Sequence, residues 1–180
     1  MLKKIALENG REIIFRKPVE SDFPAFLKFI EKIGAETAFT NQYPEQQPKD
    51  REKTLARWSN PASFLLCAFD GGAMIAQTCF NVSKPDHPWL KYTAGFGISI
   101  VKKYWNRGIG TILLKEIDRE AARRGLHRIE GHVRSTNIRG ISLYLKCGYA
   151  IEGHSREVAF IDGRWVDEYI IAKILAAKAQ

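Results

Sequence analysis

Apolar and polar positions recur at two different periods along this chain, and the changes of period mark its elements. KKIALENGREIIFRK holds two short alternating runs about Asn9-Gly10, a dipeptide that closes two-residue hairpins, and predicts strands near 2–8 and 11–17. From Ser21-Asp22, a pair able to cap a helix, the period lengthens: Phe23, Phe26, Leu27, Ile30 and Ile33 fall at helical spacing, and Gly34 stands where the helix should end. AETAFTNQYPEQQPKD then brings two prolines and many polar residues, which predicts a loop long enough to meet a substrate. A second helix is expected from about Asp50 to Ser59.

SFLLCAFD and AMIAQTCFNV, joined by Gly71-Gly72, read as a further hairpin. KPDHP (84–88) interrupts the pattern, and Trp89 to Val101 resumes it as a third long strand. A helix over Gly108–Arg124 would bury Ile109, Ile112, Leu113, Ile117 and Ala121, with Arg123 and Arg124 at its negative end and Gly125 as its stop. RIEGHVR (128–134) predicts a strand, and IRGISLYLKC a short helix capped by Asn137 and stopped by Gly148. Strands near 149–160 and 165–175 about Asp162-Gly163 close the chain. This order predicts an α/β (α+β) fold: a central mixed, largely antiparallel sheet of about seven strands flanked by about four helices. No repeat or linker divides it, so a single domain over 1–180 is expected.

At 180 residues and 45% hydrophobic composition the chain can build a sizeable core. No run approaches the roughly 18 apolar residues of a membrane span. Glu8, Asn9 and Gly10 break the apolar stretch that a signal peptide would need, so a cytoplasmic location with no membrane partner is expected. Cys67, Cys79 and Cys147 are odd in number and widely spaced, which points to reduced thiols and no metal site. The net charge of +8 is spread along the chain, without an aromatic–basic motif. That argues against a nucleic-acid partner and leaves either a solvated surface or long-range steering of an anionic ligand.

Candidate chemistry concentrates in GISIVKKYWNRGIGTILLKEIDREAARRG (97–125): an apolar strand, a basic turn, then an amphipathic helix. Such a turn presents unpaired N–H groups at a helix N-terminus, where the helix dipole favours an anion such as a diphosphate. Gly108 and Gly110 carry no Cβ and allow close backbone approach. A phosphorylated cofactor is expected there.

This segment resembles the cofactor motif of the GNAT superfamily of N-acetyltransferases, a strand followed by a (Gln/Arg)-x-x-Gly-x-(Gly/Ala) turn and a helix. WNRGIG (105–110) matches at both glycines, with Trp105 in the leading position. NIRGISLYLKCGY (137–149) is similar to the family's second pattern: Asn137, a small residue three later, Tyr144 seven after the Asn, then Gly148-Tyr149. Asp162-Gly163-Arg164-Trp165 and Asp167 echo a common ending among such enzymes.

The resemblance implies a GNAT-like fold, acetyl-CoA as donor without a metal, and a small-molecule or peptide amine as acceptor, joined by direct attack in a ternary complex. Under it, Gly108, Ile109, Gly110 and Thr111 cradle the pyrophosphate, while Lys103 and Arg107 either add charge or stay solvated. The backbone of Ile98, Ser99 and Ile100 would hold the pantetheine arm and polarise the acetyl carbonyl. Asn137 would bond pantetheine, cap its helix, or do both. Tyr144 would donate a proton to the leaving sulfur, or only pack against the cofactor.

The base is not assigned. Ala94-Gly95-Phe96-Gly97 stands where many relatives carry a Glu, and the substitutes are Glu152, His154, Glu36, Glu45, or a water held by Tyr92 or Ser99. His132 is better suited to packing. Glu20, Asp22, Glu36 and Glu45, with Phe39, Tyr43 and Trp58, would line an acceptor wall suited to a cationic amine. A polyamine, an amino acid, an antibiotic and a protein N-terminus all stay open. The apolar IIAKIL ending fits either a homodimer contact or an internal strand. A rival reading, prompted by the missing Glu, is a catalytically silent domain that binds acyl-CoA as a sensor or structural module.

Overall fold

Hairpin turns form where the glycine dipeptides place them. Gly71 (φ 60°) joins two strands, and Asp162 (φ 50°) with Gly163 (φ 75°) joins two more, left-handed conformations that match the twist of a tight hairpin. The computed structural model describes residues 3–6, 10–41 and 50–175. Its strands are β1 (Lys3–Ala6), β2 (Glu12–Arg16), β3 (Ser63–Asp70), β4 (Ala73–Asn81), β5 (Thr93–Ile100), β6 (Arg128–Arg134), β7 (Ala150–Ile161) and β8 (Arg164–Ile174). Its helices are α1 (Phe23–Glu36), α2 (Arg51–Ser59), α3 (Ile109–Arg123) and α4 (Ile138–Lys146).

The described strands form one eight-stranded sheet in the order β1-β2-β3-β4-β5-β6-β8-β7, one strand more than the expected seven or so. β5 and β6 pair in parallel, whereas β1–β2, β2–β3, β6–β8 and β7–β8 are antiparallel. The chain divides into two compact units, Met1–Cys79 with Ile98–Leu113, and Phe80–Gly97 with Leu114–Gln180.

In the first unit, Phe26, Phe29, Ile30 and Ile33 of α1 pack with Cys67, Phe69, Met74 and Val101. Phe29 takes the core position expected of Leu27. Gly34 does not end α1: it is buried on the same apolar face, and the helix runs on to Glu36. Packing of that face outweighs the weak helix propensity of one glycine. Asp22 stands at the N-cap position without capping. Its carboxylate instead takes a forked pair of hydrogen bonds from Arg16, at 2.6 and 2.8 Å, and one from the Val19 N–H at 2.7 Å. Arg16 also stacks over Phe69, 3.9 Å from the ring centroid.

In the second unit α3 buries Leu114, Ile117 and Ala121. Leu114, rather than the expected Ile112, completes the apolar face. The strand expected from Trp89 begins only at Thr93. Residues 89–92 form turns, with Trp89 83% exposed, because three of the residues before them are the helix- and strand-breaking Pro85, Asp86 and Pro88. The Asn9 half of the first hairpin dipeptide lies outside the described residues, as do Tyr43 and Glu45.

Arg16 hydrogen bonding, opposed by burial and aided by the Val19 N–H, holds the Asp22 carboxyl below the usual range. A lowered folded-state pKa contributes stability above the unfolded value of about 3.9, and that contribution is lost as pH falls through the folded value. Asp22→Asn is therefore expected to cost about 2 kcal/mol near neutral pH. In urea melts across pH, its deficit against wild type should shrink below about pH 4; a deficit independent of pH would contradict this account.

Candidate active site

Two left-handed residues shape the turn before α3. Asn106 (φ 59°) and Gly108 (φ 76°) turn the chain sharply after Trp105. The Ile112 N–H is bonded to the Gly108 carbonyl at 3.1 Å, so the amides of Ile109, Gly110 and Thr111 precede the helical ladder and have no acceptor within it. No acidic residue occupies the first turn. A Cβ built on Gly108 meets nothing within 4 Å, leaving the approach open. Lys103 and Arg107 are exposed beside the turn, and the Arg107 Nε–H bonds the Lys103 carbonyl at 3.2 Å. These features fit an anionic, phosphate-bearing group.

Trp105, which stands where the family motif begins with Gln or Arg, braces the turn. Its indole N–H donates to the Ile100 carbonyl at 2.7 Å, and its ring stacks on Phe39 with centroids 6.4 Å apart. That bond occupies part of the hydrogen-bonding capacity of a backbone stretch, Ile98–Ile100, expected to face the cofactor. The Lys102 N–H donates to Glu36 Oε2 at 2.6 Å, so this carboxylate is committed to the strand-to-turn junction.

In the second unit the parallel ladder of β5 and β6 is short: Thr93–Arg128, Ala94–Ile129 and Gly95–Glu130. β6 continues to Arg134, paired with β8 alone over that length. Just past the last pair the Phe96 ring lies on Gly131, where an added Cβ would come within 2.8 Å of it. Phe96 also meets Tyr144 edge-on at 5.7 Å and Tyr149 at 5.2 Å. Gly95 and Gly97, on the other face, are exposed and have open space before them.

Asn137 caps α4, its side chain accepting from the Gly140 N–H at 2.9 Å. A Cβ on Gly140 would approach Asn137 Nδ2 to 2.6 Å, so the small residue at 140 makes the cap feasible. Tyr144 is 7% exposed, and burial raises its pKa, keeping the phenol protonated. Among the described residues its hydroxyl has no hydrogen-bond partner.

The model of the acetyltransferase (GNAT) family matches residues 31–149. This chain belongs to that family. It is 28% identical over 166 residues to the L-amino acid N-acetyltransferase AaaT of Escherichia coli (strain K12), a match covering 91% of this chain and 98% of that protein. Among solved structures, a GNAT-family acetyltransferase of Streptococcus pneumoniae superposes with a TM-score of 0.82 at 24% identity, over 91% of this chain and 99% of that one. The Salmonella typhimurium protein yncA, solved with its cofactor acetyl-CoA, superposes with a TM-score of 0.78 at 20% identity, over 93% and 96% of the two chains. The fold is thus that of the GNAT acetyltransferases, acetyl-CoA-dependent enzymes.

Within this GNAT chain, Ile98, Ser99, Ile100, Lys103, Arg107, Gly108, Ile109, Gly110 and Thr111 lie in the first unit, whereas Asn137 and Tyr144 lie in the second. Three of the substitutes for a base, Glu36, Glu152 and His154, are engaged elsewhere. Glu152 is held by a forked Arg128 pair at 2.6 and 3.1 Å, which lowers its pKa. His154 bonds Asp167 at 2.7 Å, and His132 faces Glu168 at 3.7 Å. Sequence reasoning missed the Phe96–Gly131 contact and an ionic cluster of Asp118, Tyr149 and Lys173. A Phe flanked by glycines was a signal for the first; the second has none, because α3 and β8 lie far apart along the chain. No group of His, Cys, Asp and Glu among the described residues could hold a metal ion, and no described helix is long and apolar enough to cross a membrane.

Gly131→Ala should lower stability by about 1–3 kcal/mol, since the Phe96 ring it strikes is itself held by two tyrosines. Thermal unfolding of Gly131→Ala with and without Phe96→Leu checks this: the second change should recover much of the loss, and an unchanged melting temperature for Gly131→Ala would refute the close contact.

Proposed function

We propose that this chain transfers acetyl from acetyl-CoA to a primary amine by direct attack in a ternary complex. The observation that carries the reading is Tyr144: a buried, protonated phenol whose hydroxyl has no partner among the described residues, on a helix that begins at the motif Asn137. Acetyl-CoA supplies an activated thioester. The amine nitrogen bonds its carbonyl carbon, the carbon–sulfur bond breaks, and the Tyr144 O–H gives its proton to the departing sulfur. The amides of Ile109, Gly110 and Thr111, with Lys103 and Arg107, hold the pyrophosphate. Ile98, Ser99 and Ile100 hold the pantetheine arm with Asn137. We take the whole chain, 1–180, as one acetyltransferase domain acting in the cytoplasm; the family match runs through both compact units.

The acceptor is a small-molecule amine or a protein N-terminus, and a relative named for acetylating L-amino acids supports the first. Glu152 is tied to Arg128, Glu36 to the Lys102 N–H and His154 to Asp167, so the amine enters neutral and passes its proton to water, from which the Tyr144 phenolate regains the one it gave. Gly95, bare where other members carry a Glu, favours the silent acyl-CoA-binding reading, and turnover separates the two.

Calorimetric titration with acetyl-CoA should give binding in the micromolar range that Gly108→Asp abolishes, because the variant adds a negative charge and a Cβ at φ 76°. No binding by the folded wild type would overturn the assignment. With an accepted amine, Tyr144→Phe should lower kcat for thiol release by about 100-fold. The kcat/KM should rise with pH through the acceptor's own pKa and shift when a less basic amine is used; a rise fixed at one pH for every amine would reveal a base on the enzyme. Binding without thiol release from any amine would favour the silent domain.

A further inference from the structure

α4 is only nine residues long, yet its C-terminal end is held from three directions. Gly148 (φ 83°) closes it, with the Gly148 N–H on the Leu145 carbonyl and the Tyr149 N–H on the Tyr144 carbonyl, both at 3.0 Å. That double closure satisfies two of the carbonyls a helix end leaves open. Lys173 of β8 reaches the Cys147 carbonyl at 2.7 Å, placing a cation at the negative end of the helix. The same ammonium bonds Asp118 of α3 at 2.6 Å, and the Tyr149 hydroxyl donates to the other Asp118 oxygen at 3.0 Å.

One carboxylate therefore ties α3, β8 and Tyr149, three residues past the end of α4. Its effect reaches Tyr144 by two paths. The first is the backbone, because the Tyr144 carbonyl is itself part of the closed helix end. The second is the ring of Tyr149, fixed at its hydroxyl by Asp118 and lying 6.0 Å from the ring of Tyr144. Lys173 and Asp118 are each about three-quarters or more buried, so their bonds are little screened by solvent. Neither touches Tyr144. The transfer reaction uses neither.

We propose that Lys173 and Asp118 are positioning residues, whose ion pair sets the Tyr144 hydroxyl against the departing sulfur. This rests on the reading of Tyr144 as the proton donor. Without Lys173 the Cys147 carbonyl loses the ammonium and Asp118 keeps the Tyr149 phenol, so the helix end and the Tyr149 ring are loosened together. A displacement of the donor by about 1 Å is enough to slow a proton transfer strongly while leaving the cofactor's binding groups intact.

The experiment is a double-mutant cycle on thiol release, with Lys173→Met, Lys173→Arg and Asp118→Asn each made in wild type and in Tyr144→Phe, and with melting temperatures measured throughout. In the wild-type background Lys173→Met should lower kcat about tenfold while KM for acetyl-CoA stays within about twofold. Lys173→Arg, which keeps the charge, should restore most of kcat. In the Tyr144→Phe background Lys173→Met should have no further effect on kcat. Equal losses in both backgrounds, or a loss confined to KM, would overturn the proposal. Should Lys173→Met not fold, the isosteric Asp118→Asn runs the same cycle with the same two outcomes. Full activity in Tyr144→Phe alone would instead refute the donor reading, and the proposal would fall with it.

Discussion

A parallel pair of strands that stops early is the constraint on which the second unit depends. β5 and β6 share three residue pairs and no more, and the Phe96 ring lies on the backbone of Gly131 immediately beyond them. A parallel ladder is sustained only while both strands keep their spacing of about 4.8 Å. β6 pairs with β8 along its whole length, and beyond Glu130 it keeps that pairing as far as Arg134, three residues before the cap of α4. α4 then returns with Tyr144 against the edge of the Phe96 ring. The aromatic cluster of Phe96, Tyr144 and Tyr149 thus forms at a place where one side chain is absent and its neighbour is large.

Local signals were the legible ones. Asn137 caps α4, Gly125 and Gly148 end their helices with positive φ, and the Gly71 and Asp162-Gly163 turns fall where the dipeptides put them, because each depends on a backbone conformation that few residue types adopt. The two family motifs were legible for the same reason: their glycines and Asn serve backbone geometry within a few residues. Gly34 misled, since the burial of Ile30 and Ile33 on either side of a turn outweighs one residue's propensity. Leu114 and Ile112 are two positions apart and both apolar, and only the packed helix decides which faces inward. Asp118 and Lys173 lie 55 positions apart and look like ordinary charges on an amphipathic helix and a polar strand face. Nothing short of the fold brings them together.

Charge has two kinds of use in this molecule. The surplus of basic groups is mostly exposed, at Lys103 and Arg107 among others, and suits the capture of an anion over some distance. A smaller set is partly buried and paired: Arg16 with Asp22, Arg134 with Glu168, Lys173 with Asp118. In each of these the cation comes from a strand. The first and last of these acids lie next to or on a helix. Such pairs contribute little net stability over apolar substitutes, but they tolerate only one register, and so fix how elements meet.

β7 is one of the two edge strands of the sheet and, at twelve residues, the longest described. An edge of that length ordinarily offers a row of open amides and carbonyls to any other chain, the starting point of uncontrolled association. Here the register slips between Ile151 and Gly153 and again between Ser155 and Ala159, and Glu157 (φ 56°) turns its amide inward to Asp167. No in-register stretch against β8 reaches the six or so residues from which cross-β stacking is built. The irregularities that spoil the hairpin's regularity therefore act as an intrinsic guard against fibril formation, built into the strand at the cost of a few ladder bonds.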